Sequence, residues 1–263
     1  MQSLLVAVGN FFFRYRNTLF PLVFILGALT LRPKIIFASA AVDRLLVLGG
    51  AMLALLGQAL RLATIGFDYI HRGGKDGQVY ANRLVRGGVY GVMRNPMYVA
   101  NALIAVGMTF YVGAPLAYVI IVPLFLLIYH SIVVAEEAYL HDRFGAEYDN
   151  YRSTVNRYIP ALSSLRRAFV GMRFDWRKSI KKDLGTVVGL AIGLILIPVW
   201  REYFLYGPET TKVTAMRAFW LILAVVALYV ILRRYKKGAR LFGGIVRQPK
   251  PAAEQKEFKS QMR

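Results

Sequence analysis

The chain has 263 residues and no cysteine, which excludes disulfide bonds and thiolate-ligated metals. Its hydrophobic share is 57% and its net charge +20, with a pI near 10.3. Such basicity on a soluble protein would point to nucleic acid; with long uncharged runs it points instead to a membrane protein whose Lys and Arg gather on one face.

The start, "MQSLLVAVGNFFFRYRN", has no basic residue ahead of its apolar part and no small-residue cleavage site, so no cleavable signal peptide is expected. Uncharged stretches follow at 19–31, 45–60, 96–135, 184–200 and 218–232. The first two and the last two are each expected to be a membrane helix, extended by flanking Arg and Lys that snorkel. The weakest is 19–31, because Arg32, Pro33 and Lys34 close it. The run 96–135 would make a single helix about 60 Å long, twice the hydrocarbon thickness. It must fold back, and "YVGAP", with Gly113 and Pro115, is the natural turn. The expected fold is therefore all-α, with six transmembrane helices that include a tight helical hairpin.

Lys and Arg concentrate in 64–96, 136–183 and 233–263, and the "YVGAP" turn has none. The positive-inside rule places those segments, and both termini, in the cytoplasm of a multi-pass cell-membrane protein. Arg32, Lys34 and Arg44 are a mild exception. The expected organisation is N-terminal helices over 1–63, a core with a cofactor pocket over 64–160, a basic interfacial segment over 161–183, a terminal helix pair over 184–232 that reads as an appendage, and a basic tail over 233–263 whose end is disordered.

Two polar clusters flank the hairpin, "RLVRGGVYGVMRNPMY" before it and "AEEAYLHDRFGAEYDNYRSTVNRYIP" after it. A tight hairpin brings its ends together, so the two should share one pocket at the membrane surface. The second cluster has helical period, and Glu136 and Glu137 sit where its helix leaves the bilayer. A carboxylate pair there needs water or a cation. A solvated helix exit beside Arg94 or Arg143 accounts for it without function. Likewise Asn95 as N-cap and Pro96 at the first helical position account for "NP". Neither account covers Arg94, Tyr90 and Tyr98. His130, inside the hairpin, reads as a packed core residue.

"GGVYGVMRNPMY", an apolar hairpin, then "EEAYLHDRFGAEYDNYRSTVNRYIP" resembles the isoprenylcysteine carboxyl methyltransferase and phospholipid methyltransferase superfamily. That family's pattern is a G-x-Y turn, Arg-His-Pro-x-Tyr, a hairpin, a Glu-Glu pair and Phe-Gly-x-x-Tyr-x-x-Tyr; here it covers 82–160. The resemblance implies an integral membrane enzyme that uses S-adenosylmethionine, releases S-adenosylhomocysteine and methylates a lipid or lipid-linked acceptor entering from the bilayer. Arg94, Asn95, Pro96 and Tyr98 match the cofactor motif, Glu136 and Glu137 the acidic pair, Tyr90 the turn tyrosine, and Tyr148 and Tyr151 the final pair. Asn95 replaces the family's histidine; it can donate a hydrogen bond but cannot titrate near neutral pH.

The chemistry of these side chains agrees. Arg94 or Arg152 can clamp the cofactor's carboxylate. Glu136 or Glu137 can take its ammonium or ribose, or accept a proton from an amine acceptor, Glu137 being favoured. The tyrosines can stack on adenine or face the sulfonium. Two other readings stand beside this one, a sterol-reductase-like NADPH enzyme and a non-catalytic membrane scaffold.

Overall fold

The computed structural model describes residues 2–35, 39–67, 81 and 83–243. Every regular element among them is helical: α1 (Gln2–Thr30), α2 (Ala40–Phe67), a 3-10 turn (Gly88–Gly91), α3 (Pro96–Val112), α4 (Pro115–Phe144), α5 (Ala146–Thr154), a second 3-10 turn (Leu162–Ser164), α6 (Leu165–Ala168), α7 (Trp176–Tyr206) and α8 (Pro208–Gly243). The all-α architecture is the one expected. Residues 68–80, with His71, Arg72 and Lys75, and residues 244–263 lie outside the described residues.

The run 96–135 folds back at the expected place. α3 ends on Gly113, whose φ of 70° is the left-handed cap that glycine adopts without cost. α4 starts on Pro115 at its first position, where a missing N–H is harmless. Other elements hold the turn. Lys34 donates its backbone N–H to the Gly113 carbonyl (3.0 Å), and Arg201 of α7 donates to the Val112 carbonyl (3.0 Å) and to Asp43 of α2 (2.7 Å).

Among the described residues, four helices are long and apolar enough to cross a membrane: α2, α4, α7 and the 208–234 part of α8. α3 is apolar but has 17 residues. α1 has 29 residues and carries Arg14 and Arg16 midway, which shortens its uncharged part.

Two boundaries and one role differ from the sequence reading. α7 begins at Trp176, inside the expected interfacial segment, because Asp175 caps it by accepting the Lys178 backbone N–H (2.9 Å). α8 continues past 232 to Gly243, since nothing over 233–243 breaks a helix. And α7 is no appendage. Its Asp183 accepts hydrogen bonds from Gln58 (2.5 Å) and Arg61 (3.1 Å) of α2, and its Ser179 hydroxyl donates to the Leu62 carbonyl (2.7 Å). α8 packs on α7.

α2 and α3 pack along each other most extensively, with Gly50, Ala54 and Gly57 against Ala100, Ile104 and Gly107. Lipid gives helices no hydrophobic reason to associate, so small residues that let backbones touch do the holding. A Cβ on Gly50 would sit 2.6 Å from the Gly107 carbonyl and the Tyr111 amide, whereas one on Gly49 meets nothing within 4 Å. Gly50→Ala should therefore destabilise by about 1–3 kcal/mol while Gly49→Ala is neutral or better. Thermal unfolding in detergent checks this; equal melting of the two variants would mean that backbone approach does not hold α2 to α3.

Candidate functional site

The two polar clusters meet at the Glu137 carboxylate, on the last turns of α4. Glu137 is 6% exposed. Its Oε1 accepts from Asn95 Nδ2 (2.8 Å) and Arg94 Nε (3.2 Å), and its Oε2 from Arg157 Nη2 (2.7 Å), Arg157 Nε (3.0 Å) and Arg94 Nη2 (3.4 Å). Arg94 turns its remaining nitrogen, Nη1, to the carbonyls of Val155 (2.6 Å) and Arg152 (2.9 Å). The backbones join as well: Arg94 donates to the Asn156 carbonyl (2.8 Å), Asn95 to Arg157 (3.2 Å) and Ala161 to Val92 (3.0 Å). Tyr151 adds a hydrogen bond from its hydroxyl to the Tyr90 carbonyl (2.7 Å).

This geometry bears on two expectations. Arg94, taken as a clamp for a cofactor carboxylate, has all three guanidinium nitrogens on protein oxygens. Asn95 occupies the N-cap position of α3, but its side chain makes no capping bond and goes to Glu137. In the position of the family's histidine it acts as a donor, which Asn does without titrating.

Arg157 completes the knot and was quoted in the sequence without being singled out. Twenty positions and a helix break at Gly145 separate it from Glu137, so no helical period could have linked them. Burial works against the Arg157 charge, and the hydrogen bond and charge of Glu137 more than offset it, so its pKa is raised. Burial also pushes the neighbouring Tyr158 hydroxyl up to about 12, despite the opposing charge of Arg157. Tyr158 stays protonated at neutral pH, 2.9 Å from Nδ1 of His130, which sits half-buried against it.

Glu136 points elsewhere. It is 1% exposed and lines a cavity of about 1030 Å³ between α1, α2, α3, α4 and α7. Neighbouring helical residues differ by about 100° in direction, so the two glutamates serve different spaces. Glu137 borders a smaller cavity of about 230 Å³, with His141, Tyr148, Arg152 and Arg157. Tyr90 and Tyr98 face the large cavity with Glu136, as do Arg16, Arg61 and Asn101. Tyr148 and Tyr151 pack in a small core with Ala81, Leu140 and Val155, and Arg152 is half exposed beside Asp149 (3.3 Å). Pro96 is buried at the start of α3. The structure thus brings Tyr90, Tyr98 and Glu136 to one cavity, and Arg94, Asn95 and Glu137 to the knot beside it. The sequence reading passed over Arg16 and Arg61. Their signal was a basic residue inside or at the end of an apolar stretch, which in a membrane protein marks a site by default.

Residues 45–147 match the family model described as phospholipid methyltransferase. The chain is 30% identical over 130 residues to the protein-S-isoprenylcysteine O-methyltransferase of Saccharomyces cerevisiae, a stretch that covers 48% of this chain and 53% of that protein. The chain is similar to the membrane methyltransferases of this superfamily. It spans about half the length of the curated relative it matches. No solved structure matches it. The methyltransferase-like segment runs from α2 to the start of α5 and so contains Arg94, Asn95 and both glutamates. Arg157 and the cavity walls from α1 and α7 lie beyond the family match.

Glu137→Gln should leave Arg94 buried and undercompensated, at a cost of about 3–5 kcal/mol. Arg94→Lys should recover only part of what Arg94→Ala loses, because an ammonium cannot reproduce the fork. Melting temperatures of the purified variants test this; a Glu137→Gln protein as stable as the wild type would rule the knot out.

Proposed function

We propose that this chain is an integral membrane methyltransferase that moves a methyl group from S-adenosylmethionine to a lipophilic acceptor. The observation that carries the reading is the large cavity beside the motif. Its volume is at the upper end of the range for small-molecule sites, enough for a cofactor and part of an acceptor. Its lining combines the polar Glu136, Tyr90, Asn101 and Arg61 with the apolar Phe20, Phe24, Phe125 and Leu196. The family similarity and the mixed polar and apolar lining support the same reading. The smaller cavity falls below the usual size of such sites.

These residues fit S-adenosylmethionine. Glu136 accepts from its ammonium or ribose hydroxyls, and the Tyr90 and Tyr98 rings offer faces to adenine or to the sulfonium. When bound, the cofactor supplies a methyl carbon already activated for in-line displacement. The chain's part is alignment and exclusion of water, which the buried Glu136 end of the cavity provides. A carboxylate or thiolate acceptor requires no base, whereas an ammonium acceptor would give its proton to Glu136. Glu137 then acts as a positioning residue, through Arg94 and Asn95, although the sequence reading had favoured it as the acid at the reaction centre.

The protein in detergent should bind S-adenosylmethionine and S-adenosylhomocysteine with micromolar affinity, on the order of −7 to −8 kcal/mol, and should not prefer NADPH. Glu136→Gln should weaken that binding by about 1.5–3 kcal/mol while the protein remains folded. Calorimetry that finds NADPH bound and S-adenosylmethionine ignored would overturn the assignment.

Six crossings with both termini cytoplasmic complete the proposal. Cysteine introduced at Ser163 should be labelled only from the cytoplasmic side and cysteine at Glu209 only from the opposite side. Gly113 is unsuited to such a probe because the Arg201 guanidinium fills the space of a Cβ there. Labelling of both positions from one face would mean that α7 does not cross.

A further inference from the structure

The basic segment between α5 and α7 has no part in the reaction proposed above. It forms a strap fastened to the bundle at several points. Ala161 donates its backbone N–H to the Val92 carbonyl (3.0 Å), and Asp175 donates its own to the Gly66 carbonyl (3.0 Å). Between these ties Phe169 and Phe174 pack on Phe67 at the end of α2, with ring centroids 4.6 and 5.0 Å apart. Those contacts fix which side chains turn inward. Turned outward are Leu162 (70% exposed), Val170 (74%) and Trp176 (67%), with Leu165 beside them. Arg166, Arg167, Arg173 and Arg177 are exposed along the same stretch, and among the described residues none of them has an ion pair. The acids of the stretch are already engaged. Asp175 caps α7, and Asp183 holds Gln58 and Arg61. The strap therefore shows apolar side chains that water does not favour and like charges that no protein anion offsets.

We propose that this strap is a docking surface for anionic phospholipid, with Leu162, Leu165, Val170 and Trp176 entering the headgroup boundary and Arg166, Arg167, Arg173 and Arg177 taking the phosphates. Two observations favour a lipid surface over an acidic protein. The strap runs directly into α7, and Trp176 stands about 12 Å along that helix before Leu184, where its uncharged run begins. That places the strap near the headgroup layer, the level at which Trp side chains gather. The second is the mixture itself. An acidic protein would answer the cations, but a leaflet answers both sets at one level, its phosphates meeting the guanidinium groups and its chain boundary the apolar side chains. A neutral leaflet would take the Leu and Trp and leave the four arginines without counter-charge, so the surface selects for anionic headgroups. The inference rests on the strap alone and is independent of the proposed reaction.

The test uses the full chain with Trp200→Phe and Trp220→Phe, which leaves Trp176 as its one tryptophan. It is reconstituted into nanodiscs of phosphatidylcholine with a minor share of phosphatidylglycerol. One or the other lipid carries bromine on the upper carbons of its chains, at equal mole fraction, so that quenching of Trp176 reports which lipid touches the strap. Brominated phosphatidylglycerol should quench more than brominated phosphatidylcholine, by about twofold or more, and high salt should reduce the difference. Changing the four arginines together (Arg166→Gln, Arg167→Gln, Arg173→Gln and Arg177→Gln) should abolish the preference. The four-lysine counterpart should keep most of it, because attraction to a charged leaflet needs charge more than a fork. None of the four arginines has an ion pair to break, so both variants should melt with their parent. Arg234→Gln, an exposed change on α8, should leave the preference intact. Equal quenching by the two lipids in the parent, or a preference that survives the four-glutamine variant, would overturn the proposal. So would quenching by neither lipid together with full quenching by aqueous acrylamide, which would put the strap in water and leave an acidic protein as its match.

Discussion

The Glu137 carboxylate is the point through which the two ends of the hairpin are joined. It receives five hydrogen bonds from Arg94, Asn95 and Arg157, in a place where an isolated charge would be driven to neutralise. A buried ion pair gives little net stability against an apolar alternative, because desolvation offsets the Coulomb attraction. What it does give is a single arrangement. Three donors from two separate parts of the chain find satisfied geometry only when α3, α4 and the 152–161 segment are in one register. That register places Glu136, the next residue along α4, against the large cavity, with Tyr90 and Tyr98 beside it.

The same logic recurs twice between α2 and α7. Asp183 with Arg61 and Gln58 lies at one end of these helices, and Arg201 with Asp43 at the other. Each pair is buried, and each ties α7 to the core through charges that would be costly in lipid if parted. α7 thereby becomes a wall of the cavity, although the recognisable motifs all precede it in sequence. Close backbone contact between α2 and α3, an apolar cluster of α1 and α3 against α4, and these polar ties hold the bundle together.

Much of this was legible in the sequence. The length of the 96–135 run forced a hairpin, and Gly113 and Pro115 placed its turn, because bilayer thickness and backbone dihedrals leave few choices. The ordered motif set brought Arg94, Asn95 and Glu137 into one neighbourhood. Their partners were less legible. Helical period shows which residues of one helix share a face, but not what a side chain meets across a break, so Arg157 passed unremarked and Arg94 was assigned to a ligand. The same limit made Glu137 look like the reactive acid, since its face carries Leu140 and Phe144. Only tertiary packing reveals that this face holds the protein together and that the adjacent one opens on a cavity. The role of α7 was hidden for a related reason: Asp183 sits at the margin of an apolar stretch, where it reads as a boundary charge.

The central claim is that Glu137 and Arg94 act on each other and on the fold, leaving Glu136 to face the ligand. A double-mutant cycle measures this most directly, with unfolding free energies of Arg94→Gln, Glu137→Gln and the combined variant. The account predicts strong coupling, on the order of 2 kcal/mol, with the double variant less damaged than the sum of the singles, because each single change strands the other's charge. Additive losses would contradict it and would mean that the two side chains work separately.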